Sequence, residues 1–127
     1  MAGLILDSDA LVALMNINDL HHKSIIKRLF QSMESFSISV VTYSEALVHS
    51  FETGEQELMI ERMDSLVVEI FEVNAAIARK AAELRSTFKL KLPDALIGAT
   101  AIEKGLTLLT FDEKLSKRIP GAELLVS

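Results

Sequence analysis

The chain has 127 residues, half of them apolar, which is enough to bury one core and too little for two ordinary domains. It has no cysteine, which excludes disulfides and thiolate metal sites, and its net charge of -5 at pH 7 argues against a broad basic surface for nucleic acid. No apolar run approaches the roughly 20 residues of a membrane span, and Met1 to Leu6 lacks the basic segment and long apolar stretch of a signal peptide. The expectation is one soluble, cytoplasmic domain over residues 1–127, with no membrane attachment.

Leu4-Ile5-Leu6 is apolar throughout and predicts a strand buried on both faces. Asp7-Ser8-Asp9 follows, and Ala10 to Met15 reads as a helix. From His21 to Met33, Ile25, Ile26, Leu29, Phe30 and Met33 recur at helical spacing, with Lys23, Lys27 and Arg28 between them. Ser35 to Val41 alternates and is rich in β-formers. It runs into Thr42-Tyr43-Ser44-Glu45, which fits a capping box opening a helix to about Phe51. Gly54 ends that helix, Glu55 to Ser65 forms another, and Leu66 to Phe71 is the third strand.

A long Ala-rich helix spans Ala75 to Phe88. Lys89-Leu90-Lys91-Leu92 breaks the periodicity, and Pro93 suits the first turn of a helix through Glu103, with Gly105 as its stop. Thr107-Leu108-Leu109 is the fourth strand, Phe111 to Leu115 starts a short helix, Pro120-Gly121 turns, and Glu123 to Val126 is a last, edge strand. Met15, Met33, Met59 and Met63 fall at apolar helix positions, where core or interface packing accounts for them.

Strands alternating with helices predict a single three-layer α/β domain, with a mainly parallel sheet of four to five strands and helices on both faces. In that architecture helix N-termini gather at the carboxyl edge of the sheet, where ligands bind. Asp7 follows the first strand, Glu45 the second, Asp94 opens the helix after Pro93, and Asp112 follows the fourth strand, so four acids should face one edge. Each alone is explained by capping and the helix dipole. Together they suit a hard cation such as Mg2+ or Mn2+, which takes oxygen ligands.

Four blocks carry a family resemblance: Leu4-Ile5-Leu6-Asp7 leading into an apolar helix, Val41-Thr42-Tyr43-Ser44-Glu45-Ala46, Leu92-Pro93-Asp94-Ala95-Leu96-Ile97-Gly98-Ala99-Thr100-Ala101, and Leu108-Leu109-Thr110-Phe111-Asp112. In order and spacing they resemble the PIN-domain family over nearly the whole chain, most closely its VapC-type toxin ribonucleases. The resemblance implies a nuclease whose four acids are Asp7, Glu45, Asp94 and Asp112, with Thr110 supporting the site. Asp9 departs from the family, which usually carries Ser, Thr or Asn there. It is expected to cap the first helix, the other reading being a further carboxylate near the metal.

No serine, histidine and acid arrangement is visible, and His21, His22 and His49 lie away from the acidic blocks in sequence, which leaves metal-activated water as the nucleophile. Asp7, Asp94 and Asp112 are expected to carry most of the coordination, and Glu45 to orient water or complete a second site. Lys89 and Lys91 precede Asp94 and are candidates for substrate phosphates against the plainer reading of solvated loop lysines. His21-His22 reads mainly as surface decoration, with contact to RNA bases as the functional alternative. The partners implied are RNA, a small antitoxin protein and a second copy of the chain in a homodimer. Alternatives are an RNA-processing nuclease without an antitoxin, a non-catalytic binding module, and a receiver-like phosphoacceptor, whose required strand-end aspartate and late lysine are missing.

Overall fold

A computed structural model describes residues 3–126; the Met1-Ala2 start, on which the absence of a leader was read, lies outside the described residues, as does Ser127. The chain runs β1 (Leu4–Leu6), α1 (Ser8–Met15), α2 (His22–Ser32), β2 (Phe36–Ser39), α3 (Val40–Thr53), α4 (Gln56–Leu66), β3 (Val67–Phe71), α5 (Ala75–Phe88), α6 (Leu92–Lys104), β4 (Thr107–Thr110), α7 (Glu113–Arg118) and β5 (Glu123–Leu124). All pairings among the five strands are parallel, in the order β3-β2-β1-β4-β5. The three-layer α/β architecture is the one the alternating pattern requires.

The period of two along a strand divides the core. Leu4 and Leu6 of β1 and Leu109 of β4 pack on one face with Leu11, Ile25 and Met63 from α1, α2 and α4. Ile5 and Leu108, one residue out of phase, pack on the other face with Ile77, Ile97 and Leu115 from α5, α6 and α7. The sheet is therefore covered on both sides, and the continuous apolar run of β1 is needed to fill both. Among the described residues no helix is long and apolar enough to cross a membrane.

From β1 the chain builds outward to β2 and β3, then crosses back to lay β4 and β5 on the other side of β1. Connections leaving β1 and β4 thus diverge, opening a crevice at their carboxyl ends, the usual ligand position in open parallel sheets. Asp7 follows β1 directly, and Asp112 follows β4 after Phe111.

Several boundaries differ from the sequence reading. The second strand stops at Ser39, whose buried hydroxyl accepts the Val41 amide at 3.0 Å and starts α3 at Val40. Thr42 is therefore no N-cap and the capping box with Glu45 does not form: Thr42 is buried in the first turn of α3. The first helix begins at Ser8, and its cap is Asp7, not Asp9. Met63 is core, and Met15 and Met59 pack against it in part, but Met33 is exposed, because it leaves the helical path in the left-handed conformation at φ 53°.

The third sequence block contains Gly98, where α6 meets α7. A Cβ there would stand 2.4 Å from Cδ1 and 3.0 Å from Cγ1 of Ile119, a side chain buried in the α5–α7 layer. The helix thus forgoes the roughly 1 kcal/mol by which alanine exceeds glycine, in exchange for close approach. Gly98→Ala should destabilise by about 1–2 kcal/mol, overpacking outweighing propensity. Ile119→Val removes Cδ1 and should cost about 0.5–1.5 kcal/mol alone. Denaturant unfolding of the double variant should show it more stable than the two losses added together. Simple additivity would refute the steric account.

Candidate metal centre

Asp7 emerges from β1 and its carboxylate is used twice. Oδ1 accepts the Ala10 amide at 2.9 Å, capping α1, while Oδ2 accepts the hydroxyl of Thr110. Thr110 is the last residue of β4 and is fully buried, and its Oγ1 also accepts the Asp112 amide at 3.0 Å. One hydroxyl, donor to one acid and acceptor from the backbone of the other, therefore ties the ends of the two central strands together. Asp112 in turn caps α7, its Oδ1 accepting the Leu115 amide at 3.1 Å.

Glu45 stands in the second turn of α3, exposed, and receives a hydrogen bond from the Ser8 hydroxyl of α1; Ser8 also lies 3.4 Å from the Thr42 hydroxyl. Ser8 was not singled out in the sequence. A serine at a helix start reads as ordinary, and its partner is a residue that only the fold brings near. Asp94 is in the first turn of α6, half-buried. Asp9 lies exposed in the first turn of α1 and contributes charge, not a cap.

Electrostatics show that these acids share one field. Asp7 is only 5% exposed, and burial pushes its carboxyl up to about 6. The bonds from Thr110 and Ala10 oppose that rise, and the charges of Asp9 and Asp94 add to it. Asp94 is also raised, first by burial and then by Asp112, Glu45 and Asp9, with Lys91 opposing. Like charges that disfavour one another's ionisation must be neighbours.

Among the described residues no three acidic or histidine side chains form a ready-made group that could hold one ion. The donor set nevertheless fits a hard divalent cation: every donor is a carboxylate oxygen, the acids repel one another without a counter-charge, and Mg2+ keeps several waters instead of needing a closed protein cage. A site that is loose and largely hydrated is the form this arrangement supports.

Lys91 is the residue before α6, and its charge reaches Asp94. Lys89 sits at the end of α5, its Nζ donating to the Ser86 carbonyl at 3.2 Å. The histidine pair is not mere surface decoration. The ring of His21 stacks on Phe111 with centroids 4.3 Å apart and planes 21° from parallel, and His22 Nδ1 lies 2.8 Å from the Ala13 carbonyl oxygen. His21 and Phe111 join Asp9, Val12, Asp19 and Asp112 around a cavity of about 340 Å³ beside the acids. Nothing local in the sequence announces that stack.

Comparison with known proteins gives a match of the PIN domain family to residues 4–119. A toxin–antitoxin complex from Klebsiella pneumoniae is similar at a TM-score of 0.81 and 26% identity, over 95% of this chain and 96% of that one. A VapBC complex from Rickettsia felis, bound to a DNA fragment from its promoter, gives 0.76 and 23% over 97% and 98%. A VapC toxin of Mycobacterium tuberculosis described as cleaving the sarcin-ricin loop gives 0.72 and 21% over 91% and 94%. No curated protein sequence matches the chain. The family match sets aside the receiver-like alternative.

Asp7 supplies a stability test. Its carboxyl titrates near 6 when folded against an ordinary 3.8. An acid with a raised folded pKa contributes no penalty below its unfolded value, and a growing one as pH rises through the folded value. Above that, the penalty is on the order of 3 kcal/mol. Asn at this position keeps an oxygen for the Ala10 amide. In chelator, Asp7→Asn should be more stable than the parent by on the order of 1–3 kcal/mol at neutral pH, and the gap should close as pH falls toward about 4. Thermal melts across that range decide it, and a parent that is the more stable at every pH would make Asp7 a net stabilising cap.

Proposed function

This chain belongs to the PIN-domain family, and from that premise we propose that it is a divalent-metal-dependent endoribonuclease acting as the toxin of a type II toxin–antitoxin pair. What supports the reading is that Asp7 and Asp112 stand at the ends of β1 and β4, beside the crevice, and that Asp94, whose carboxyl is raised first by burial, also feels the charges of Asp112, Glu45 and Asp9. Mg2+ or Mn2+, when bound, supplies Lewis acidity and an activated water for phosphodiester hydrolysis. Asp7, Asp94 and Asp112 are the residues that would hold it, with Thr110 bonded to the Asp7 carboxylate, and Glu45, which accepts the Ser8 hydroxyl, would orient water or complete a second site. Lys91 is the nearest candidate for a substrate phosphate, with Lys89 beyond it.

The antitoxin reading has support in an uncovered apolar trough. A cavity of about 650 Å³ includes Leu14, Ile17, Leu58 and Leu66 in its walls, and one of about 320 Å³ includes Leu14, Phe30, Met33 and Leu66. The shared Leu14 and Leu66 make them one trough between α2 and α4, and Ile17, Phe30 and Met33 are more than two-thirds exposed, at 79%, 69% and 85%. A contiguous apolar surface of this kind fits the apolar face of a partner helix. Basic side chains from the same partner would satisfy the acids and block the crevice. Self-association has a separate candidate surface on α3, where Val48 and Phe51 are exposed. A sedimenting monomer at micromolar concentration would count against the homodimer.

Three outcomes test the reading. Incubation with mixed cellular RNAs should give cleavage that excess chelator abolishes. Asp94→Asn should lose that cleavage while melting, without metal, at or above the temperature of the parent, and Mg2+ or Mn2+ should raise its melting temperature much less. Cleavage unchanged by chelator would sink the metal mechanism. Phe30→Asp should fold normally and retain cleavage but lose a small partner that co-purifies with the natively expressed parent, since a charge desolvated in an apolar trough costs several kcal/mol. Retention of the partner by this variant would move the docking surface elsewhere.

A further inference from the structure

Beside the acids, the cavity of about 340 Å³ has a lining of which the proposed hydrolysis uses only Asp112. Asp9, Asp19 and Asp112 supply carboxylates, Val12 an apolar wall, and the stacked rings of His21 and Phe111 an aromatic one. None of these six side chains is a lysine or arginine. Away from Asp112 a phosphate therefore meets no lysine or arginine in this lining, and a flat, neutral group rich in hydrogen-bond donors fits better. The volume lies at the lower end of the ~300–1,000 Å³ of small-ligand pockets, the scale of one nucleobase with its sugar.

We propose that this cavity receives one unpaired base of the RNA substrate and prefers guanine. The inference rests on the ribonuclease reading for its occupant, and on the cavity for its chemistry. Single-stranded RNA is recognised by splaying a base onto an aromatic side chain and hydrogen-bonding its Watson–Crick edge. Ionised carboxylates only accept, so they favour edges that donate. Guanine presents N1–H and the N2 amino group side by side, a matched pair for the two oxygens of one carboxylate. Adenine and cytosine present one amino group each beside an acceptor, and uracil flanks its single N–H with two carbonyl oxygens that a carboxylate repels. Asp19 is positioned for this role, because Oδ1 accepts the His21 amide at 2.8 Å and so anchors the carboxylate to the residue that forms the stack. Phe111 precedes Asp112, so a base held on this wall would place its neighbouring phosphate toward the acids.

The test uses the four ribonucleosides, which carry no phosphate, and the isotope-labelled full chain in chelator, read by backbone amide NMR. Guanosine should shift the amides of Asp9, Asp19 and Phe111, with adenosine and cytidine weaker and uridine weakest. Phe111→Leu, which keeps an apolar side chain, should weaken guanosine binding at least about fivefold by loss of stacking. Asp19→Asn, which keeps the oxygen for the His21 amide and replaces an acceptor by a donor, should remove the preference for guanosine. No shift at these amides with any nucleoside, or equal shifts with all four, overturns the proposal. Neither result touches chelator-sensitive cleavage, so the base pocket and the nuclease reading can fail separately.

Discussion

The buried hydroxyl of Thr110 is the point on which the site depends. β1 and β4 are neighbours whose connections leave in opposite directions, so nothing in the main chain beyond Leu109 obliges Asp7 and Asp112 to stay together. Thr110 supplies the link, donating to the Asp7 carboxylate and accepting the Asp112 amide. A serine would offer the same hydroxyl with a freer χ1, whereas the β-branched threonine restricts its rotamers and so holds that geometry. Orientation of the acids is thereby built from the strand end outward, before any ligand is considered.

Capping and metal binding, set against each other when the sequence is read alone, are not exclusive in the structure. Asp7 and Asp112 are both N-caps by geometry, and each is also tied electrically to Asp94: Asp7 feels the charge of Asp94, and Asp94 feels that of Asp112. The caps fix where each carboxylate sits and leave acceptor capacity unspent, since an ionised carboxylate can accept about four bonds. The helix N-termini also offset part of the repulsion among the acids, each by about 0.3–1 kcal/mol. That is too little to cancel the burial of Asp7, which is why its carboxyl remains well above the ordinary range. A site that stays strained without a cation is one in which a cation is bound with that relief added to its affinity.

Much of the fold was legible because long-range packing and local preference agree. The helix from Ala75 to Phe88 needed only its alanines and the break after Phe88, and the structure adds the Asn74 cap, whose side chain accepts the Ile77 amide. The carboxyl-edge placement of the acids followed from alternation alone. The misreadings occur where two caps compete within a few residues. Ser39 and Thr42 both suit an N-cap, and Ser39 prevails because ending β2 there buries Thr42 against α1, where Ser8 meets it. Asp7 and Asp9 compete likewise, and Asp7 prevails because Thr110 holds it at the strand end. The stack of His21 on Phe111 was beyond sequence reading, since each residue has an ordinary local explanation and only the return crossing to β4 brings them together.

On the proposed function an acidic chain acts on a polyanion, and it must then separate attraction from recognition. With a net charge of -5, the surface as a whole repels RNA, so electrostatic steering cannot gather substrate from a distance as it does for basic binding proteins. On the proposed reading, cations at the four acids reverse the charge only within the crevice, and Lys91 adds to that reversal locally. Attraction is then short-ranged and confined to the one phosphodiester that reaches the crevice. Affinity has to come from contacts that do not depend on phosphate, and the His21–Phe111 wall is the nearest feature of the right kind. A general binder of RNA would spread its lysines over many phosphates. Here the charge distribution admits few, which favours selection of a site by the bases around it over capture of any strand that passes.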